Sequence, residues 1–179
     1  LGDLYVNDAF GTSHRKHAST SVVASYFPNK KYFGLLLEKE IKILEKTTKN
    51  PKRPLTAIVG GAKISGKIDV ISALFEKVDN LIVGGGMAYT FIKAMGGVVG
   101  DSLVEENKLF LAKNLISEAK KKGVQLLLPC DSLNASSFNN NAKTKTSNIQ
   151  NIQEGFMGLD IGFESVKLFK KTICASKTI

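Results

Sequence analysis

The residues from Ile58 to Lys67 (Ile-Val-Gly-Gly-Ala-Lys-Ile-Ser-Gly-Lys) carry the strongest chemical signal in the chain. An apolar run ends in paired glycines and is followed by two lysines four residues apart. Glycines at a strand-to-helix turn let backbone N–H groups approach an anion, and the start of the helix adds partial positive charge. Lys63 and Lys67 stand at i and i+4, so both ammonium groups reach one phosphate chain if the helix starts early. Two like charges at the mouth of a buried turn repel unless an anion sits between them. The plain alternative is a tight turn that only packs a helix on a sheet. Gly61 to Lys67 also spells G-x-x-x-x-G-K, most of a phosphate-binding P-loop. Position 68 is Ile, where that loop needs a Ser or Thr hydroxyl for Mg2+, and this counts against a true P-loop.

A second glycine run, Gly84-Gly85-Gly86, closes the next apolar stretch. Two successive strands with Gly-rich carboxyl ends point to a shared ligand crevice at that sheet edge. Neither run reads G-x-G-x-x-G, so a dinucleotide fingerprint is not supported. A third cluster, Gly155 to Gly162, reads either as part of a site or as a β-turn with a hydrophobic plug. His14-Arg15-Lys16-His17 is a further candidate, since Arg suits bidentate binding of phosphate or carboxylate. The alternative there is a solvated basic loop. His14 and His17 have no third ligand nearby in sequence, so no metal site is assigned.

The elements that must position these residues follow from periodicity. Leu4–Phe10 predicts a strand, and Gly11 to about Ser25 a polar loop. Over 35–48, Leu37, Ile41 and Leu44 recur at helical spacing, with Glu38 and Lys42 as an i,i+4 pair. Asn50-Pro51-Lys52-Arg53-Pro54 ends that helix and marks a domain boundary. Strands and helices then alternate: strand 55–59, helix 67–78, strand 80–83, helix 87–95, helix 103–122 stopped by Gly123, and strand 124–128. Residues 132–153 read as an Asn-rich loop with room for a short hairpin. A helix over 163–176 turns Val166, Phe169 and Ile173 inward, and 177–179 begin another strand. Such alternation implies α/β architecture: a doubly wound parallel sheet with helices on both faces.

Composition narrows the class. The chain has 179 residues, 43% hydrophobic and 23% charged, enough for a real core. The first residues are not a signal peptide, and no apolar stretch is long enough to span a membrane. Cys130 and Cys174 follow no ligand spacing and read as buried, reduced thiols. The net charge of +9 favours anionic partners, yet the basic residues are dispersed in pairs and triples, without the long block expected of a nucleic-acid binder.

In this order the pieces resemble the phosphoglycerate kinase family. Leu4 to Ser19 is similar to its V-N-D-A-F-G-x-x-H-R-x-H-A-S segment, and Gly60 to Lys67 to its G-G-A-K-[VI]-x-D-K loop. Gly84 to Phe91, Met157-Gly158-Leu159-Asp160 and Ser102-Leu103-Val104-Glu105-Glu106 match three further blocks. The resemblance runs over the whole chain. It implies an incomplete Rossmann-like nucleotide domain over 55–179, an interdomain helix over 34–50 with Glu40 at its hinge, and over 1–33 the tail of a second α/β domain. It implies that Arg15 contacts 3-phosphoglycerate, with His14 and His17 in the same basic patch. Lys63 would contact the phosphoryl group in flight and Lys67 the nucleotide phosphates. Gly60, Gly61, Ala62, Gly84, Gly85, Gly158 and Leu159 would line the nucleoside pocket.

The implied reaction passes the acyl phosphate of 1,3-bisphosphoglycerate to ADP, reversibly, with Mg2+ accompanying the nucleotide. The implied enzyme is a cytoplasmic monomer without a nucleic-acid or membrane partner. Gly66 departs from the family, which has Asp there. The family's early substrate-binding strand, its W-N-G-P block and its later Mg2+-binding Asp are not found, so the 179-residue chain by itself is expected to be inactive. A non-catalytic module that binds anions or nucleic acid is the alternative.

Overall fold

The computed structural model describes residues 2–179. The chain divides into two compact units between Pro51 and Lys52.

In the first unit, β1 (Tyr5–Asn7) pairs in parallel with β2 (Lys31–Phe33). The expected strand over 4–10 is shorter, because Phe10–Thr12 turns into a 3-10 helix. The expected loop to Ser25 is likewise wound into a π-helical turn (Ala18–Val22) and a 3-10 turn (Val23–Tyr26). These turns form where Thr20, Ser21 and Val22 all donate N–H bonds to the His17 carbonyl. Helix α1 (Leu35–Lys49) follows. Its first turn is capped from outside: Asp8 Oδ1 accepts the Leu37 N–H at 2.8 Å. A Cβ at Gly34 would overlap the Asp8 side chain, so the cap needs glycine at the helix entry. The Glu38–Lys42 pair forms at 2.6 Å. Leu37 is buried, whereas Leu44 is half exposed.

The second unit is built on three parallel strands in the order β3-β4-β6: β3 (Thr56–Gly60), β4 (Asn80–Gly84) and β6 (Gln125–Leu127). Side chains alternate between the two faces of this sheet. Leu81 and Val83 pack with Ile71 and Phe75 of α2 (Ile68–Phe75), Met87 and Phe91 of α3 (Met87–Ala94), and Ala112 and Leu115 of α4 (Leu109–Lys121). Ile82 and Leu127 face the other way, onto Phe169 and Ile173 of α5 (Phe163–Ala175). Helices therefore cover both faces, as the alternation predicts. Leu55 forms a parallel bridge with Thr178, so the chain returns to the outer side of β3. Strand order reverses there.

A second sheet forms where the sequence predicts a loop with room for a short hairpin. Residues 131–161 form β7 (Asp131–Ala135), β8 (Thr144–Asn148) and β10 (Met157–Ile161), antiparallel in the order β10-β7-β8. Short strands β5 (Val98–Val99) and β9 (Asn151–Ile152) pair in parallel beside it. The Asn-rich stretch is thus a paired hairpin, and the third glycine cluster is a strand preceded by a turn at Gly155 (φ 77°). The signal was hidden because polar residues occupy the inward positions: Ser132 and Asn134 are buried.

Four further expectations change. Helix α2 is shorter than 67–78, although Val78 remains buried beyond its end. Helix α4 begins at Leu109, since 103–105 is irregular and 106–108 is a 3-10 turn. Val166 lies on the exposed side of α5, while Phe169 is buried. Both cysteines are free thiols, exposed rather than buried.

Candidate functional site

Ile64 anchors the turn that follows β3. Its side chain is fully buried, and its N–H donates to Glu105 Oε2 at 2.6 Å. The Ser65 N–H donates to the same oxygen at 3.0 Å. The Lys67 N–H closes the turn onto the Ile64 carbonyl at 2.9 Å. Helix α2 starts only at Ile68, so Lys63 and Lys67 do not share a helical face as an early start would require. Both lysines precede the helix and are exposed. The Ser65 hydroxyl holds the half-buried Glu105 carboxyl below the usual glutamate range; burial opposes this, while the two N–H groups and the Lys63 ammonium reinforce it.

The two glycine runs meet backbone to backbone. Gly60 and Gly84 are register partners at the carboxyl ends of β3 and β4. Gly85 has φ 69°, and a Cβ there would come within 2.9 Å of the Gly61 nitrogen and oxygen. The Met87 N–H donates to the Gly61 carbonyl at 2.9 Å. Space beside Gly61, Gly66 and Gly84 is open. The structure therefore gathers Gly60, Gly61, Ala62, Lys63, Lys67, Gly84 and Gly85 at one end of the sheet. This end holds the carboxyl terminus of β3, where strand order reverses, the usual ligand position in open α/β sheets.

Gly158 reaches this end through α3. A Cβ on it would overlap the Tyr89 ring, and its N–H donates to Ser102 Oγ at 2.9 Å. Tyr89 in turn bonds Ser132 through their hydroxyls at 2.8 Å, and burial raises its phenol above the ordinary value. Leu159 is exposed. In the first unit, Arg15 Nε donates to His14 Nε2 at 3.3 Å, and Arg15, His14 and His17 are all exposed. Glu40 is half-buried on α1. Glu105 is the residue that sequence reasoning left without a role, because it was read as the first turn of a helix.

A model of the phosphoglycerate kinase family matches residues 1–179. The chain belongs to the phosphoglycerate kinase family. It is 55% identical to a phosphoglycerate kinase of Gloeothece citriformis over 177 residues, 99% of this chain and 44% of that relative. It is 54% identical to a chloroplastic phosphoglycerate kinase of Volvox carteri over 177 residues, 99% of this chain and 38% of that protein. Its fold superposes on the phosphoglycerate kinase of Coxiella burnetii with a TM-score of 0.87 at 39% identity, covering 98% of this chain and 45% of the other. The chain thus spans less than half the length of these relatives.

The described residues do not fit a protein-held Mg2+. No three His, Cys, Asp or Glu side chains gather among them. At the turn, the Glu105 oxygen is taken by two N–H groups, position 66 is glycine and position 68 isoleucine. No helix among the described residues is long and apolar enough to cross a membrane.

Proposed function

We propose that this chain is the nucleotide-binding part, with the end of the 3-phosphoglycerate-binding part, of a phosphoglycerate kinase that acts in glycolysis as a cytoplasmic monomer. The observation that carries the reading is the turn after β3: two lysines and open glycines at the sheet's reversal point, in a chain matched along its length by that family's model. In the reaction, a β-phosphate oxygen of ADP forms a bond to the phosphorus of 1,3-bisphosphoglycerate. The bond from that phosphorus to the acyl oxygen breaks, leaving the 3-phosphoglycerate carboxylate and ATP. The work for the protein is positioning and neutralising charge on the transferred oxygens. In this reading Lys63 meets the transferring group and Lys67 the nucleotide phosphates. Gly60, Gly61, Ala62, Gly84, Gly85, Gly158 and Leu159 form the nucleoside side. Arg15, with His14 and His17, receives 3-phosphoglycerate, and Glu40 serves the hinge. Lysines fixed in place stabilise developing charge without reorganising during transfer. Mg2+ travels with the nucleotide and screens its phosphates; its protein ligand is not among the described residues. The 179-residue chain alone holds ADP weakly and does not turn over.

Calorimetric titration with ADP tests the reading. The wild-type chain is expected to bind ADP, and Lys67→Ala to weaken binding about tenfold, the loss of one charge-assisted contact. Short DNA that binds more tightly than ADP, with affinity collapsing between about 50 and 200 mM salt, overturns it in favour of a non-catalytic nucleic-acid module.

A further inference from the structure

We propose that Glu105 is the positioning residue of the Gly60–Lys67 turn: its carboxylate holds the turn in the shape that presents Lys63 and the glycine N–H groups to a nucleotide phosphate. The proposal rests on the nucleotide reading above. After β3 ends, the turn's N–H groups have no ladder partners, and an N–H on a buried residue such as Ile64 must be paired. One oxygen of Glu105 takes two of them, from Ile64 at 2.6 Å and Ser65 at 3.0 Å. Those are the two residues immediately after Lys63. Glu105 is itself tied down: its N–H donates to Oγ1 of the buried Thr90 on α3 at 3.1 Å. Helix α3 begins at the second glycine run, and Leu103, two residues before Glu105, lies against Gly86. A single segment, 102–105, therefore links the lysine-bearing turn, the second glycine run and, through Ser102 Oγ, Gly158.

Charge separates a positioning role from a purely electrostatic one. A carboxylate beside a phosphate site repels the ligand and draws on the Lys63 charge. On electrostatics alone, removing it tightens anion binding. A positioning role predicts the opposite sign when the acceptor is lost, and separates two substitutions. Glu105→Gln keeps a carbonyl oxygen for the Ile64 and Ser65 N–H groups and removes the charge. Glu105→Ala removes both.

The test combines calorimetric ADP titration with amide exchange read by NMR on the 179-residue chain. Glu105→Ala is expected to weaken ADP binding about tenfold, while Glu105→Gln binds at least as tightly as wild type. Protection of the Ile64 and Ser65 amides is expected to fall in Glu105→Ala and to persist in Glu105→Gln. Unchanged amides in β3 and α3 show that the fold survives. Tighter ADP binding in Glu105→Ala, or unaltered Ile64 and Ser65 exchange, overturns the proposal. If wild type fails to bind ADP, the nucleotide reading falls by itself, and collapse of Ile64 and Ser65 protection in Glu105→Ala alone still decides whether this carboxylate sets the turn.

Discussion

Gly85 shows how one missing side chain lets two loops become one surface. Its φ of 69° lies in the left-handed region, where a Cβ costs about 1 kcal/mol or more. The space is closed as well, because the new Cβ would press on the backbone of Gly61, which has no flexible side chain to yield. Gly85→Ala is therefore expected to destabilise the second unit by about 2–4 kcal/mol, strain and overpacking together. Gly66→Ala meets open space and no positive φ, so it is expected to cost under about 1 kcal/mol. Urea denaturation of both variants checks the contrast, and equal midpoints would show that the glycine runs are not in contact. Such a comparison separates two uses of glycine that look identical in sequence: Gly85 for close backbone approach, Gly66 for an uncrowded turn. The family's Asp at position 66 has room in this fold, which makes Gly66 a difference in chemistry rather than in shape.

Elements depend on carboxylates that reach across long stretches of sequence, and Asp131 is the clearest case. From the start of β7 it caps α5, accepting N–H bonds from Glu164 at 3.0 Å and Ser165 at 2.8 Å. Gly162 leaves the room, since a Cβ there would overlap Asp131. Burial opposes the charge on Asp131, but the Ser165 hydroxyl and these N–H groups outweigh it and hold the carboxyl below the usual aspartate range. A lowered native pKa means the stabilisation is present above the ordinary aspartate range and is lost as pH falls through the native value. Asp131→Ala is expected to cost about 1–2 kcal/mol near neutral pH and less as pH falls below the ordinary aspartate range, as urea titrations at neutral and acid pH would show. A cost that stays constant with pH would mean that the cap is not ionic. This cap was not legible in the sequence, and the reason is general to the chain. Helix α1 follows from the helical spacing of Leu37, Ile41 and Leu44, and strands β3 and β4 from short apolar runs, so each is announced by a local pattern. Capping by Asp8 and Asp131, the pairing of β7 with β10, and the Glu105 bridge join residues 22 to 41 positions apart through polar atoms, so no local pattern announces them. The lysine turn itself was legible, because glycines and lysines mark it within ten residues. What fixes its shape was not.

At the scale of the whole molecule, burial is distributed unevenly between the two units. In the first, among the described residues, Leu37 is the one hydrophobic side chain that is buried, while Tyr26, Tyr32, Phe33, Leu35 and Leu36 are exposed. In the second, a continuous cluster from Leu55 to Val124 fills the space between the sheet and α2, α3 and α4. Apolar burial contributes about 25 cal/mol per Å2, so only the second unit gathers enough to offset the entropy of ordering its chain. The ion pairs of α1, Glu38–Lys42 and Glu45–Lys49, are exposed and add only about 0.3–0.5 kcal/mol each. Opening of residues 2–51 is therefore expected to be nearly free, while β3, β4 and α3 open only with global unfolding of the second unit. Hydrogen–deuterium exchange on the 179-residue chain should show peptides from 2–51 exchanging at least about a hundredfold faster than peptides from 80–94. Equal protection in the two regions would mean that the first unit draws stability from contacts other than its own core. On the proposed function, the predicted asymmetry has a consequence: the turn that carries Lys63 and Lys67 is pre-formed on the packed second unit, whereas the Arg15 loop is not held by its own packing. ADP binding is thus the activity that the 179-residue chain is expected to retain, and 3-phosphoglycerate binding the one it is expected to lack.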